Sequence, residues 1–130
     1  MIVVDAGVLV VALADDGDDG DVARARLHGE SLVGPHLLDV EVVAAWRRLA
    51  AAGRLDGRRA DLARTDLQQL PLRRVAHGPL LERCWELRDD LTTYDALYIA
   101  LAEALDTVLL TTDGRVAGAP GPRCQIEVLG

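Results

Sequence analysis

Lysine is absent from this sequence, and all fourteen basic residues are arginine. Mechanisms that depend on a catalytic lysine are therefore excluded. This absence argues against receiver domains and aspartate-based phosphatases, which place acids at strand ends around Mg²⁺ but normally also use a lysine. No apolar run approaches the ~20 residues needed to span a bilayer. The apolar start of the chain also lacks the basic region and small-residue cleavage site of a signal peptide.

Cysteine is scarce as well. The two cysteines, Cys84 and Cys124, form no metal-like cluster. A disulfide would need an oxidising compartment, and nothing in the sequence suggests export. We therefore expect two reduced, packed thiols in a soluble protein of the cytoplasm, with no membrane partner.

Basic charge is outweighed by acidic charge, and the formal net charge is −7. An acidic chain does not attract nucleic acid by bulk charge, because that attraction needs an excess of basic side chains. A polyanionic partner would have to be bound at a local site, through metal ions or clustered arginines.

The chain has 130 residues and half of them are hydrophobic, which predicts one domain, residues 1–130, with a substantial core. Short apolar runs alternate with helical patterns. The predicted strands are residues 1–4, 31–35, 71–75, 106–113 and 124–129. The predicted helices are residues 6–16, 21–28, 36–52, 56–70, 78–90 and 91–105, with a Gly- and Pro-containing loop at 114–122. This alternation predicts an α/β sandwich with a largely parallel sheet.

Two acids close predicted strands. Asp5 follows the first strand, and Asp113 ends the stretch VLLTTD. Sites in such sheets form outside the carboxyl ends of the strands. Each acid also has an ordinary structural explanation, because Asp5 is a suitable N-cap for the next helix and Asp113 lies in a turn sequence before glycine.

Two further acids lie on apolar helix faces. Glu41 shares its face with Leu38 and Ala45, whereas Asp39, Arg47 and Arg48 are better placed on the solvent side. Asp95 shares its face with Tyr98 and Ala102. It also resembles the acid of a capping box begun by Thr92, so a structural role and a functional role remain open for both acids.

All four acids can meet if the strands and helices are arranged as predicted. Carboxylates that close raise one another's pKa, and a divalent cation relieves the repulsion between them. Oxygen ligands suit Mg²⁺ or Mn²⁺, and no histidine or cysteine spacing favours zinc. The sequence therefore predicts a magnesium site, with Mn²⁺ as a possible substitute.

Four stretches, in this order, resemble the successive motifs of PIN-domain ribonucleases, with the closest likeness to VapC-type toxins of bacterial type II toxin–antitoxin modules. The stretches are MIVVDAGVLV, LLDVEVVAAWRRL, LRDDLTTYDALYIALAEAL and VLLTTD. The likeness spans essentially the whole chain. It implies a three-layer α/β/α sandwich with a mainly parallel sheet of about five strands.

The resemblance also implies an activity and a site. The activity is that of an endoribonuclease dependent on Mg²⁺ or Mn²⁺, which leaves a 5′-phosphate and a 3′-hydroxyl on substrates such as transfer or ribosomal RNA. The implied catalytic and metal-binding residues are Asp5, Glu41, Asp95 and Asp113. Thr111 matches a hydroxyl position that supports the acids. The implied partners are a cognate antitoxin that lies across the cleft and a second copy of the chain.

Three positions depart from the family pattern. Gly7 stands where a Ser, Thr or Asn is usual, Asp90 stands where such toxins often carry Asn, and Val116 replaces a further acid of some members. Asp90 would add negative charge behind the site. None of the three removes a core ligand. An alternative therefore stays open, in which the chain is a catalytically weak PIN-like module that acts mainly by binding a protein partner.

Two arginines and two tryptophans are candidates for RNA contacts. Arg88 precedes the motif DDLTTYD and Arg115 follows Asp113, so both are candidates for the cleft rim, although solvated surface arginines fit equally well. Trp46 and Trp85 could stack on bases, but core or dimer contacts are the more usual role of helical tryptophans in such domains.

Overall fold

A computed structural model describes the whole chain, Met1 to Gly130, as five strands and seven α-helices. The strands are β1 Ile2–Val4, β2 Leu32–Pro35, β3 Leu72–Val75, β4 Leu109–Thr111 and β5 Ile126–Val128. The helices are α1 Ala6–Ala14, α2 Asp18–Leu27, α3 Leu37–Ala51, α4 Gly57–Gln69, α5 Leu81–Glu86, α6 Thr93–Ala104 and α7 Gly114–Gly118, with a 3₁₀ turn at Gly78–Leu80.

The five strands form one sheet in the order β3-β2-β1-β4-β5, and every neighbouring pair is parallel. Val3 of β1 lies between Val33 of β2 and Leu109 of β4. Parallel sheets are covered on both faces, which explains why the strands β1, β2 and β4 are buried at every residue. The predicted parallel sheet of about five strands is confirmed.

The helices form two separate groups around the sheet. Helices α1 to α4 pack on one another, while α5 packs on α6. Right-handed crossovers from β1 to β2 and on to β3 place the first group on one face, and the return from β3 to β4 places α5 and α6 on the other. The α/β/α sandwich implied by the family resemblance is therefore confirmed.

Strand order also fixes where a site can form. The chain leaves β1 toward β2 on one side, and β4 occupies the other side of β1. This reversal is a topological switch point, and the crevice outside the carboxyl ends of β1 and β4 is the usual binding place in such sheets. Asp5 and Asp113 both lie at this crevice, because they follow these two strands.

Two helices stand out by their packing. In α6 every residue from Ala96 to Ala102 is buried, as expected of a helix that is covered on all sides. In α3 the indole N–H of Trp46 donates to the Val10 carbonyl of α1, with 3.2 Å between the nitrogen and the oxygen. Trp46 is 2% exposed, so this tryptophan is a core residue that joins α1 to α3.

Three predicted boundaries were wrong. Helix α2 begins at Asp18 rather than at residue 21, because the acids of the expected loop favour a helix N-terminus. The predicted loop 114–122 contains the short helix α7, which Asp113 caps. The predicted helix 78–90 is a 3₁₀ turn followed by the short α5 and a turn.

Two expectations about the chain as a whole can be compared with the structure. Cys84 is buried and Cys124 half-buried, and both are free thiols as expected. None of the helices has the length and apolar character that crossing a bilayer would require.

The centre of the sheet should carry most of its stability. Leu110 of β4 is fully buried between β1 and β5, so Leu110→Ala should reduce the free energy of unfolding by about 2–5 kcal/mol. Val128 of the edge strand β5 is 44% exposed, and Val128→Ala should cost well under half of that. Urea unfolding at matched m-values measures both changes, and equal losses would contradict this account.

Candidate active site

Asp5 lies directly after β1 and begins α1. Its Oδ1 accepts the Val8 N–H at 3.1 Å, and its Oδ2 accepts the Thr111 hydroxyl. Burial raises the pKa of the Asp5 carboxyl, these hydrogen bonds counteract part of that rise, and the charge of Asp95 adds to it. The cap predicted for Asp5 is confirmed, and the same carboxylate lies close enough to Asp95 to interact with its charge.

Glu41 reaches the same region from α3. The Tyr98 hydroxyl, on α6, donates to Glu41 Oε1 at 2.6 Å. Because α3 and α6 cover opposite faces of the sheet, this hydrogen bond joins the two helical layers beyond the carboxyl ends of the strands. Burial raises the pKa of Glu41, and the negative charges of Asp95 and Asp5 raise it further. Burial together with the carboxylate of Glu41 likewise keeps the Tyr98 pKa far above its usual range. The protonated phenol is therefore a permanent donor.

Tyr98 is a site residue to which the sequence assigned no role. The available signal was its spacing of three residues from Asp95 on the same helical face. A phenol at that spacing is equally common in a helix core, so the pattern could not distinguish a core tyrosine from one that holds a carboxylate.

Asp95 lies in the first turn of α6. The predicted cap is confirmed, because Thr92 Oγ1 accepts the Asp95 N–H at 3.1 Å. The Asp95 side chain is in no ion pair, and its charge raises the pKa of both Asp5 and Glu41. Three of the four predicted acids therefore lie close enough to act electrostatically on one another.

Asp113 is oriented differently. Its carboxylate pairs with Arg115, with 3.1 Å between Oδ2 and Nη2, and it also accepts the Arg115 N–H at 2.9 Å. Arg115 lowers the pKa of Asp113 below its usual range. The fourth acid is connected to the other three through Thr111, whose hydroxyl oxygen accepts the Asp113 N–H at 3.0 Å, and through Arg115, whose pKa is raised by Asp113 and also by the charge of Asp95.

Thr111 is fully buried and hydrogen-bonded to Asp5, in the supporting position that was predicted for it. Asp90, in contrast, is exposed, and its Oδ2 lies near Gly121 rather than near the three acids.

The RNA-contact candidates Arg88 and Trp85 contact each other. The Arg88 guanidinium carbon lies 4.6 Å from the centre of the Trp85 ring, and Arg88 Nη1 donates to the Trp85 carbonyl. Trp85 is 65% exposed and therefore is not a core residue.

The donor set of the three acids fits a divalent cation. Asp5, Glu41 and Asp95 supply only carboxylate oxygens, none of them forms an ion pair, and the pKa values of Asp5 and Glu41 are raised. Oxygen donors of this kind suit Mg²⁺ and Mn²⁺. They do not form a ready-made cage, because no three His, Cys, Asp or Glu side chains are close enough together to hold one ion.

Gly7 is explained by a contact from the far end of the chain. A Cβ atom at position 7 would lie 2.3 Å from the Thr112 hydroxyl oxygen and 3.5 Å from Asp5 Oδ1. The Thr112 hydroxyl therefore occupies the space beside Asp5 that a side chain at position 7 would need. The departure from the family pattern at Gly7 does not leave this space without a polar group.

Comparisons with known proteins find relatives along nearly the whole chain. The family model of the PIN domain matches residues 2–121. Ribonuclease VapC1 of Mycobacterium tuberculosis is 44% identical over 128 residues, which cover 98% of this chain and 96% of that protein. Ribonuclease VapC9 of the same species is 42% identical over 132 residues, which cover 99% of this chain and 98% of that protein.

Solved structures resemble the fold. PAE2754 from Pyrobaculum aerophilum has a TM-score of 0.74 and 26% identity, covering 98% of this chain and 83% of that one. VapBC2 from Rickettsia felis, solved bound to a DNA fragment from their promoter, has a TM-score of 0.69 and 14% identity and covers 100% of both chains. At that identity the second likeness concerns the fold alone.

Neutralising Glu41 should stabilise the protein in metal-free buffer at pH 7. A carboxyl whose folded pKa is raised binds its proton more tightly in the folded state, so stability falls as the pH rises from the ordinary value of 4.5 through the folded pKa. Glu41→Gln should therefore raise the melting temperature by roughly 1–4 °C at pH 7. The gain should vanish below the ordinary pKa, as thermal melts across pH would measure.

Asp39→Asn is the matched control on the same helix. Asp39 accepts a hydrogen bond from Arg74 Nη2 at 3.0 Å, so the loss of its charge removes an ion pair and should bring no gain at pH 7. A lower melting temperature for Glu41→Gln at pH 7 would show that Glu41 is stabilised by Tyr98 more than it is repelled by the other acids.

The contact between position 7 and Thr112 can be measured with a double-mutant cycle. In a Thr112→Ala background, Gly7→Ala should stabilise α1 by about 0.5–1 kcal/mol, because alanine restricts the unfolded chain. With Thr112 present, the overlap should remove that gain, which gives a coupling of at least ~0.5 kcal/mol in urea unfolding. The same effect of Gly7→Ala in both backgrounds would contradict the contact.

Proposed function

Because this chain belongs to the PIN-domain family, among the VapC ribonucleases, we propose that it is a metal-dependent endoribonuclease toxin that a cognate antitoxin neutralises. The observation that carries the proposal is the meeting of Asp5, Glu41 and Asp95 at the crevice outside β1 and β4, without a basic partner. Their hydrogen bonds to Val8, Thr111 and Tyr98 hold Asp5 and Glu41 in place without neutralising them, so a bound cation would relieve the repulsion among the three carboxylates.

In this proposal, Asp5, Glu41 and Asp95 hold Mg²⁺ or Mn²⁺, and Asp113 joins them when its side chain leaves Arg115. Rotation of the carboxylates is needed, since no three of them are close enough together in the structure. A bound divalent ion supplies positive charge to a phosphate oxygen and lowers the pKa of a coordinated water. In this proposal, a second ion can bind only if the Asp113 carboxylate leaves Arg115 and approaches the other three acids.

The other site residues hold the acids in place. The Thr111 hydroxyl orients Asp5, and the Tyr98 phenol orients Glu41 at 2.6 Å. Glu41 Oε2 accepts no hydrogen bond, and each Asp5 oxygen accepts one side-chain or helix-cap hydrogen bond, so a second lone pair on each Asp5 oxygen is what Asp5 would offer to a metal ion. Attack by water, rather than by the ribose 2′-hydroxyl, would give a 5′-phosphate and a 3′-hydroxyl.

The partners we propose are RNA, an antitoxin and a second copy of the chain. Relatives at 42–44% identity are ribonucleases, which supports an RNA substrate such as transfer or ribosomal RNA. The same relatives support an antitoxin partner, because the resemblance to VapC-type toxins implies one. The exposed pairs Leu81 with Trp85 on α5 and Val40 with Val43 on α3 are surfaces suited to a homodimer.

We further propose that residues 1–130 form a single PIN-like domain that acts in the cytoplasm, where its RNA substrates are. The match of the family model to residues 2–121 supports the single domain, because it leaves only a short stretch unmatched at each end.

A second candidate function is that of a catalytically weak module that acts mainly by binding a protein. The pairing of Asp113 with Arg115 and the open arrangement of the acids favour it, because both leave the metal site incomplete. Metal binding and metal-dependent cleavage distinguish the two functions.

Cleavage is tested by incubating the protein with transfer and ribosomal RNAs in Mg²⁺, Mn²⁺ or EDTA. We expect cleavage with either ion and none with EDTA. Asp5→Asn and Asp95→Asn should each lower the rate by about 100-fold or more, because each removes a charged metal ligand. Asp106→Asn is the matched control, since Asp106 precedes β4 and so lies at the amino ends of the strands, away from the site. Asparagine also tolerates the positive φ of 51° at this position.

Metal binding has a separate readout. Mn²⁺ should raise the melting temperature of the parent and of Asp106→Asn, because a ligand that binds only the folded state stabilises it. The same titration should leave Asp5→Asn and Asp95→Asn unshifted. A parent protein that shows neither a shift nor any cleavage would favour the binding module instead.

A further inference from the structure

A groove runs along the outside of the molecule between α1 and α3, starting at Glu41. Its first part is a cavity of about 420 Å³ whose lining includes Gly7, Glu41, Thr112 and Arg48. A second cavity of about 340 Å³ continues it, because both cavities are lined by Val10 and Val11, and this second part contains Arg54. The groove therefore connects the site to two arginines.

We propose that the strand of RNA to be cleaved lies in this groove, with Arg48 and Arg54 binding its phosphates. This inference rests on the proposed function and names the path of the substrate at the same site. Glu41 and Arg48 share a face of α3 and are seven residues apart, a rise of about 10.5 Å. That span corresponds to roughly three nucleotides at the phosphate spacing of a stacked strand.

Position in the groove, together with the lack of an ion pair, selects these two arginines. Arg48 and Arg54 are exposed and take part in no ion pair. Arg115 is occupied by Asp113, and Arg88 is stacked on Trp85, so the arginines expected at the cleft rim are already engaged. In a chain of net charge −7, unpaired arginines beside the site are the cations available to phosphate.

The two acids of the second cavity have partners within the protein. Asp16 pairs with Arg59, with 3.0 Å between Oδ2 and Nε, and Asp15 Oδ1 accepts the Gly17 N–H at 2.7 Å. Of these two acids only Asp16 is neutralised by an ion pair, whereas Arg48 and Arg54 have no acidic partner and are available to phosphate. The site end of the groove carries the Thr112 hydroxyl, which is a neutral donor and acceptor.

The walls of the groove suit a nucleotide. Small side chains, among them Ala6 and Ala44, line the first cavity and leave its space open beside Glu41. The Trp46 indole fixes α3 against the Val10 carbonyl beneath the groove. In such a groove, the apolar floor would contact the ribose and the base, and the arginine at its edge would contact the phosphate.

Arg47 supplies a matched control. It neighbours Arg48 on α3, is equally exposed and unpaired, and lines neither cavity. In an Asp5→Asn background that prevents cleavage, binding of a fluorescein-labelled single-stranded oligoribonucleotide of mixed sequence is measured by anisotropy in Mg²⁺ at several salt concentrations.

We expect Arg48→Ala and Arg54→Ala each to weaken binding roughly tenfold, since each loses a charged hydrogen bond to phosphate. Each should also reduce the salt slope by about 0.7. Arg47→Ala should bind within about twofold of its Asp5→Asn parent. With Asp5 intact, Arg48→Ala should raise KM more than it lowers kcat, because the contact serves binding rather than chemistry.

Two results would overturn this inference in different ways. In the Asp5→Asn background, equal RNA binding by Arg48→Ala, Arg54→Ala and Arg47→Ala would contradict the groove. Cleavage of RNA by the parent protein, in which Asp5 is intact, would then leave the proposed function standing. An otherwise native protein that neither binds nor cleaves RNA would remove the proposed function, and this inference with it.

Discussion

Repulsion among three half-buried carboxylates is the constraint on which the rest of the structure depends. Burial and mutual charge raise the pKa values of Asp5 and Glu41, with Asp95 as the shared source of charge. The fold holds them together with local bonds that do not neutralise them, from the N-terminus of α1, Thr111 and Tyr98. The three carboxylates thereby cost stability at the place where the proposed cation would restore it.

Sequence patterns were sufficient to predict the group of acids, but they could not settle the orientation of each side chain. Asp5 caps α1, and the Asp95 N–H donates to the cap residue Thr92, as the local sequence indicated. The two carboxylates also interact with each other, because the charge of Asp95 raises the pKa of Asp5. Asp113 was predicted beside them, yet Arg115, two residues on, captures it. The role of Gly7 depends on Thr112, which lies 105 residues away and comes close only in the folded chain.

Elements with strong periodicity were predicted and weak ones were not. The buried run of α6 and the strands β1 and β4 were predicted from their apolar stretches of sequence. The alternation of strands with helices along the chain predicted the parallel sheet. The five-residue helix α7 exists because Asp113 caps it and Val116 is buried, which are tertiary facts in a stretch that is rich in glycine and proline. The same limit applies to the arginines, whose availability depends on ion pairs between distant elements.

The hydrogen bond from Trp46 to Val10 has a consequence for how any substrate enters. It fixes the spacing of α1 and α3 from within the hydrophobic core, independently of what lies outside. The groove above this hydrogen bond is therefore pre-organised. A ligand that binds there would lose its own conformational freedom, but the protein would lose little. If RNA lies in this groove as proposed, its selectivity should arise from the shape and flexibility of the incoming strand, because the groove itself need not change shape.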